Sequence, residues 1–219
     1  MREVCRRCLR PVAHCVCGLL PRIRPAARVV IVQHPREARL AICSAWLCHA
    51  ALEGSALVQA VRPDDHPAVA PLLEGPGTWL LFPGPGASVA APALAPAVRT
   101  LLVVDATWPQ ALQLLRRSPM VAALPRLTLA PGTVESGYQG LRREPEPGHL
   151  ATIDAVAEAL GGLEGDRARY APMREAFRVA VERQLAHARG GARSPRHRPG
   201  AAARYGLGGS GGSDGPEGG

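Results

Sequence analysis

Uninterrupted apolar runs, separated by segments with helical spacing, constrain the fold of this chain more than any other feature. The predicted strands are apolar on both faces and lie at residues 28–33, 56–61, 78–82, 100–104 and 126–129. Helices are predicted at 37–52, 109–115, 149–160 and 167–189. Such an alternation is typical of an α/β fold, in which helices flank a mostly parallel sheet and ligands bind at the carboxyl ends of the strands.

The chain is long enough for one such domain with appendages. Of its 219 residues, 47% are apolar and 20% are charged, which excludes wholesale disorder. We expect a Cys-rich basic module over 1–25, the α/β domain over 26–189 and a disordered tail over 190–219, where 11 of 30 residues are glycine. Neither a signal peptide nor an apolar run of about 18 residues is apparent, so we expect a cytoplasmic protein that does not cross a membrane.

The basic charge is concentrated at the two ends of the chain. All 26 basic residues are arginine, against 18 acidic residues, which gives a net charge of +8. Residues 1–28 hold seven arginines and one acid, residues 183–219 hold six arginines and two acids, and the body between them has a net charge of −2. This placement favours contact with a nucleic acid. The alternative is the codon bias of a GC-rich genome, in which arginine replaces lysine throughout.

Four cysteines within thirteen residues form a candidate metal site. Their spacing is C-x2-C-x6-C-x-C, and they are Cys5, Cys8, Cys15 and Cys17. Thiolates suit a tetrahedral, structural Zn²⁺, which would give a short segment a fixed shape. A redox pair, a reduced segment without metal and an iron–sulfur cluster are the alternatives. Arginines interleave with the thiols, so this module is expected to grip a phosphate backbone through side chains such as Arg6, Arg7 and Arg10.

Polar residues follow directly after the most apolar strand. Asp105 stands there, and a carboxylate in that place either fixes a loop or acts as a positioned base. Thr107 can cap the helix that follows. Trp108 either packs in the core or stacks on a planar base at the mouth of the strand. The segment 105–108 is therefore a candidate site.

Other candidate groups lie in loops and on the first helix. The polar loop over 131–148 is long for a connection and carries Tyr138, Arg142 and Arg143. His34, after the first strand, either orients backbone or acts as a general base. Cys43 and Cys48 are expected to pack in the core.

Together these segments resemble the DTW-domain proteins, a family of tRNA-uridine aminocarboxypropyltransferases. The D-x-T-W signature is present as Asp105-Ala106-Thr107-Trp108, with Pro109-Gln110-Ala111 after it. The resemblance spans about residues 5–180. It also covers the cysteine cluster with Pro11, His34-Pro35-Arg36-Glu37, Phe82-Pro83-Gly84, and the run from Ser136 and Tyr138 through Leu141-Arg142-Arg143-Glu144-Pro145 to Leu150-Ala151-Thr152. The chain departs from the family pattern after Glu37, at Cys43, Ser44 and Trp46.

The resemblance implies transfer of the 3-amino-3-carboxypropyl group of S-adenosylmethionine to N3 of a tRNA uridine, with release of methylthioadenosine. It also implies a SPOUT-like fold, whose C-terminal part can thread a knot. Asp105 would be the catalytic residue, either as the base itself or as a group that orients the base. The cofactor would lie against Pro83, Gly84, Thr107, Trp108, Leu127, Leu129, Arg142, Leu150 and Thr152. The uridine and the rest of the tRNA would contact Trp108, Tyr138, Arg143, Arg6, Arg7 and Arg10.

Two other functions share these features. A SPOUT-like RNA methyltransferase would use the same cofactor and pocket but release S-adenosylhomocysteine. A non-catalytic, zinc-containing RNA-binding protein would bind tRNA without the cofactor. RNA is the partner in all three hypotheses, and the sequence indicates no obligate protein partner.

Overall fold

Six strands lie side by side in the computed structural model. The structure describes residues 3–8, 11–39, 43–130 and 150–189, with side chains as far as 186. The strands are β1 (Arg28–Gln33), β2 (Ala56–Gln59), β3 (Thr78–Leu81), β4 (Ser88–Val89), β5 (Thr100–Asp105) and β6 (Arg126–Thr128). Their order is β2-β1-β5-β3-β6-β4, and each neighbouring pair is parallel. The predicted α/β fold with a mostly parallel sheet is confirmed.

Helices cover both faces of this sheet. They are α1 (Ser44–Ala51), α2 (Ala70–Leu73), α3 (Trp108–Arg117), α4 (Pro119–Ala122), α5 (Thr152–Glu164) and α6 (Ala171–Arg189). Helices α1, α5 and α6 share one apolar core with Ile31 and Val103, whereas α3 and α4 share another with Val32 and Leu102. Because successive side chains of a strand point to opposite faces, the central strands must be apolar throughout. Among the described helices, none is both long and apolar enough to span a membrane.

The first helix is shorter in the structure than the sequence pattern predicts. Within the described residues of this region, a 3-10 turn at Glu37–Arg39 precedes α1, which begins at Ser44. Cys43 between them is extended, and its Sγ accepts a hydrogen bond from the Trp46 N–H at 3.3 Å. The prediction of one continuous helix was wrong because this sulfur caps a new helix, and cysteine is not among the usual capping residues.

Other elements differ from prediction mainly at their ends. The two-residue strand β4 and the four-residue helices α2 and α4 are too short to give a periodic signal. Helix α5 begins at Thr152, after an extended Ala151, and ends at Gly165, whose φ of +69° is the left-handed conformation that favours glycine. The loop 131–148, the predicted helix start at 149 and the tail lie outside the described residues, so their conformation and the knot stay predictions.

The N-terminal segment packs against the sheet domain. It contributes to the same apolar core as α5 and α6 through Cys8, Val16, Leu20 and Ile23. The Ile23 N–H donates to the Ala51 carbonyl at 2.9 Å, and the Ile23 carbonyl accepts from the Glu53 N–H at 2.8 Å. The Cys-rich segment therefore shares a core with the domain that follows it.

Candidate active site

The parallel sheet brings the polar ends of several strands to one edge. Gln33 ends β1 and Asp105 ends β5, and the two residues are register partners in neighbouring strands. Phe82 follows β3, which pairs with β5 on the other side. Because all these strands run in one direction, the residues that follow them collect at the carboxyl edge, where ligands of such sheets bind.

Asp105 is buried at this edge, with 9% of its surface exposed. The Gln33 Nε2 donates to its Oδ2 at 2.8 Å, and the Thr152 hydroxyl donates to its Oδ1. A buried carboxylate is costly unless hydrogen-bonded, and here each oxygen receives a donor from a different element. The carboxylate of Asp105 is therefore held in one orientation between β1 and α5.

Gln33 was not among the predicted site residues. Its amide nitrogen also donates to the Cys43 Sγ at 3.0 Å, and only 1% of the residue is exposed. The available signal was a polar residue at the end of an otherwise apolar strand. That signal says nothing about the partner, because the strand order is not visible in the sequence.

The two cysteines on and before α1 are buried, as predicted. Cys48 is fully enclosed, and this burial, with the nearby charges of Asp105 and Asp154, raises the pKa of its thiol above the usual range. Cys43 has a second role, since its sulfur receives hydrogen bonds from Gln33 and from the N-terminus of α1.

Thr107 is the N-cap of α3, as predicted. The Gln110 side chain closes a capping box by accepting a hydrogen bond from the Thr107 N–H at 2.9 Å.

An aromatic pair lies at the same edge of the sheet as Asp105. Trp108, the residue after Thr107, has 44% of its surface exposed. Its ring stacks on the ring of Phe82, with centroids 4.9 Å apart and an angle of 8° between the planes. Trp108 is therefore partly exposed, and Phe82 covers one face of its ring.

Arg126 adds a positive charge to the aromatic pair, and sequence reasoning also missed it. Its guanidinium carbon lies 5.8 Å from the centre of the Phe82 ring, and its Nη1 donates to the Pro83 carbonyl at 3.4 Å. A side chain at Gly84 would clash with this guanidinium, so the glycine permits the close approach.

The remaining predicted cofactor contacts differ in accessibility. Pro83 and Gly84 are exposed, and Leu129 and Leu150 are half-buried. Leu127 is fully buried, and its carbonyl accepts from the Phe82 N–H at 3.0 Å. Thr152 is engaged with Asp105. Tyr138, Arg142, Arg143 and Arg10 lie outside the described residues, so their predicted contacts stay predictions.

His34 adjoins the site through its backbone. Its N–H donates to the Asp105 carbonyl at 2.8 Å, and its Nδ1 accepts from the Arg36 N–H at 3.2 Å. Burial, with a smaller contribution from the charge of Arg36, lowers the pKa of the imidazole. These contacts favour the hypothesis that His34 orients backbone.

The four N-terminal cysteines converge on one point. Their sulfurs all lie within 4.8 Å of one another, with Cys5 and Cys17 at 3.9 Å and Cys8 and Cys15 at 3.7 Å. Zn²⁺ bound at about 2.3 Å to four thiolates in a tetrahedron holds them about 3.8 Å apart, so the geometry fits this ion. None of the six cysteines, all of which the structure describes, is in a disulfide.

The electrostatics of this cluster are uneven. Backbone N–H groups of Cys8 and Arg7 stabilise the Cys5 thiolate and lower the pKa of that thiol to about 6. Burial raises the pKa of the Cys17 thiol. A bound cation would favour the thiolate form at all four positions.

Two arginines link the segment that carries the cysteine cluster to α1 and α6 through hydrogen bonds. Arg7 is exposed, and its guanidinium donates to the Ala50 carbonyl of α1 at 2.9 Å and to the Cys17 carbonyl at 3.4 Å. Arg183 of α6 donates to the Cys15 carbonyl. Arg6 is exposed as well. Arg7 thus has a structural contact in addition to any contact with a phosphate.

Fold and site together define a class of protein. It has an α/β fold in which a buried, oriented carboxylate and an exposed aromatic side chain lie at the carboxyl edge of a parallel sheet. It also has a cluster of four thiols that suits a metal ion. A sequence model described as the DTW domain matches residues 2–185. The chain therefore belongs to the DTW domain family.

Named relatives of the chain come from animals and plants. The tRNA-uridine aminocarboxypropyltransferase 2 of Drosophila melanogaster is 32% identical over 174 residues, which cover 74% of this chain and 67% of that protein. The tRNA-uridine aminocarboxypropyltransferase A of Arabidopsis thaliana is 29% identical over 198 residues, which cover 75% of this chain and 74% of that protein. No solved structure matches the chain.

Proposed function

We propose that this protein transfers the 3-amino-3-carboxypropyl group of S-adenosylmethionine to N3 of a uridine in tRNA. The family match and the names of the two relatives carry this proposal. The fixed carboxylate of Asp105, which belongs to the D-x-T-W signature, supports it from the structure.

The carboxyl edge has groups that suit S-adenosylmethionine. The exposed backbone of Pro83 and Gly84 and the half-buried Leu129 and Leu150 offer polar and apolar contacts for an adenosine, and the arginine at position 142 would hold the carboxylate of the methionine part. When bound, S-adenosylmethionine supplies an electrophilic γ-carbon, whose bond to sulfur breaks as the bond to uracil N3 forms, so that methylthioadenosine leaves. Leu127 would contribute its backbone because its side chain is in the core.

Asp105 would accept the proton of the uracil N3–H. A general base must lie within hydrogen-bond reach of the proton that it removes, and the orientation of this carboxylate is fixed by Gln33 and Thr152. The proton then passes to solvent. Because the protein forms no covalent bond in this scheme, correct placement of the two reactants supplies most of the rate.

The uridine must leave its stack to expose N3. Trp108, supported by Phe82, presents an aromatic face on which an unstacked base can lie. Tyr138 and Arg143 would complete this contact. Arg6, Arg7 and Arg10 would bind backbone phosphates elsewhere on the tRNA.

The cysteine cluster would hold one structural Zn²⁺ through Cys5, Cys8, Cys15 and Cys17. Its hydrogen bonds to α1 and α6 favour a structural role. We also propose a cytoplasmic location, since six cysteines without a disulfide suit a reducing compartment.

Product analysis tests the proposed function. Purified protein is incubated with unmodified tRNA and S-adenosylmethionine, and the nucleosides and small products are separated by mass spectrometry. We expect methylthioadenosine and an aminocarboxypropyl-uridine in equal amounts. S-adenosylhomocysteine with a methylated nucleoside would instead identify a methyltransferase. Binding of tRNA without either product would support the hypothesis of a non-catalytic RNA-binding protein.

A further inference from the structure

The strand order places Gln33 next to the proposed catalytic carboxylate. It is the last residue of β1, and its register partner in β5 is Asp105. Register partners in parallel strands project to the same face, and the face that carries Ile31 and Val103 is the one that α1 and α5 cover. The Gln33 side chain is therefore enclosed next to Asp105.

Both hydrogens of the Gln33 amide nitrogen are used. One is directed to the Asp105 Oδ2 at 2.8 Å and the other to the Cys43 Sγ at 3.0 Å. The Cys43 sulfur is itself fixed, because it accepts the Trp46 N–H at the start of α1. A flip of the amide would turn its oxygen toward these two acceptors and break both contacts, so Gln33 links the carboxylate to the start of α1 while Thr152 links it to α5.

We propose that Gln33 is a positioning residue of the transfer reaction, acting through Asp105. The inference rests on the proposed function, in which the Asp105 carboxylate takes up the proton of uracil N3. An acceptor must meet that proton at hydrogen-bond distance, and a displacement of about 1 Å can cost about 10²-fold in rate. Gln33 limits such displacement from the side of the sheet, without contacting either substrate.

The test compares Gln33→Met with Gln59→Met. Methionine keeps the length of glutamine but has no N–H to donate. Gln59 ends β2, is the register partner of Gln33 on the other side, and its Nε2 makes no hydrogen bond to any described residue. Methylthioadenosine release gives kcat and the two KM values, and thermal melting reports the fold.

We expect Gln33→Met to lower kcat by about 10- to 100-fold, with the KM for tRNA and for S-adenosylmethionine within about threefold of wild type. Gln59→Met should keep the wild-type kcat. A wild-type kcat in Gln33→Met, or a loss confined to KM, would overturn the inference. A wild-type protein that releases no methylthioadenosine would instead overturn the proposed function, and this inference with it.

A second variant decides the matter if Gln33→Met does not fold. Gln33→Glu has the same shape but replaces both N–H donors with an acceptor beside the Asp105 carboxylate. Two carboxylates at this distance share a proton, so the Asp105 carboxylate is no longer fully ionised. We expect a kcat loss at least as large as that of Gln33→Met, and full activity of Gln33→Glu would refute the positioning role.

Discussion

Two places in the described part of the fold bury carboxylates, and the side chains that contact these carboxylates differ. On α5, the 3%-exposed Glu158 pairs with Arg167 at 2.6 Å, and Asp154 pairs with Arg174 of α6 at 3.7 Å. At the carboxyl edge of the sheet, Asp105 instead receives hydrogen bonds from an amide and a hydroxyl. The first arrangement offsets the charge of the acid, whereas the two hydrogen bonds to Asp105 fix the orientation of its carboxylate.

This difference separates acids that stabilise the fold from the acid that is proposed to react. An acid paired with arginine is expensive to disrupt and contributes little reactivity, since its charge is already compensated. A carboxylate whose oxygens accept hydrogen bonds from a fixed amide and a fixed hydroxyl is held in a defined position, as a proton acceptor must be. Substitutions of Asp154 or Glu158 should therefore reduce stability, and substitutions of Asp105 or Gln33 should reduce activity.

Asp105→Ala should have the largest effect on activity. Removal of the proposed base is expected to reduce kcat by about 10²- to 10⁴-fold, because this is the usual contribution of a general base. The affinity for tRNA should stay within about threefold, since Asp105 is buried. Methylthioadenosine release and filter binding measure the two quantities. An unchanged product yield would remove Asp105 from the mechanism.

Cys5→Ser should act on the metal and on stability, with activity falling only as the folded fraction falls. The substitution removes one of four thiolates, so the protein should lose stoichiometric zinc in elemental analysis and unfold at a lower urea concentration. Cys48→Ala, at a buried cysteine outside the cluster, is the control that should retain zinc. Wild-type protein without metal would contradict the zinc assignment.

Glu158→Gln tests the structural half of the comparison. It should lower the free energy of unfolding by about 1–3 kcal/mol, less than for a fully buried ion pair, because Arg167 is 56% exposed. Urea denaturation measures this loss, and kcat of the folded enzyme should not change. Glu182→Gln, at an exposed pair on α6, should leave stability nearly unchanged. If Glu158→Gln lowered kcat more than stability, the division between the two regions would fail.

Trp108→Leu should have the smallest effect. Loss of one stacking surface for a base weakens binding by about 1–3 kcal/mol, so the KM for tRNA should rise about tenfold while the protein stays folded. Leu112→Ala, at another exposed apolar residue of α3, is the matched control and should leave KM unchanged. Equal effects of the two substitutions would indicate that Trp108 does not contact the base.

Much of this architecture could be predicted from local patterns. Val29–Val32 and Leu101–Val104 are apolar without interruption, and this is sufficient to identify central strands of a parallel sheet. Thr107 and Gln110 carry the capping box of α3 in their own spacing. The cluster of four cysteines could also be predicted from local spacing, because only short stretches of chain separate the four residues.

The boundaries and the site were less predictable, for a physical reason. Helix α1 starts at a sulfur cap on Cys43, which no propensity scale includes, so the periodic pattern extended the helix too far. Arg126 meets Phe82 and Pro83 only because β3 and β6 are neighbours in the sheet. Such contacts depend on which strands pair, and pairing is a long-range property.

The sequence by itself determined the α/β class, the position of Asp105 at the end of a buried strand and the four thiols of the cluster, since each is encoded in adjacent residues. The tertiary structure decided the rest. It inserted β5 between β1 and β3, so that Gln33 and Asp105, separated by 72 residues, became hydrogen-bonded partners. It also turned the start of α5 onto the same carboxylate. Burial forces every polar group to find a partner, but only the packed fold decides which partner it finds.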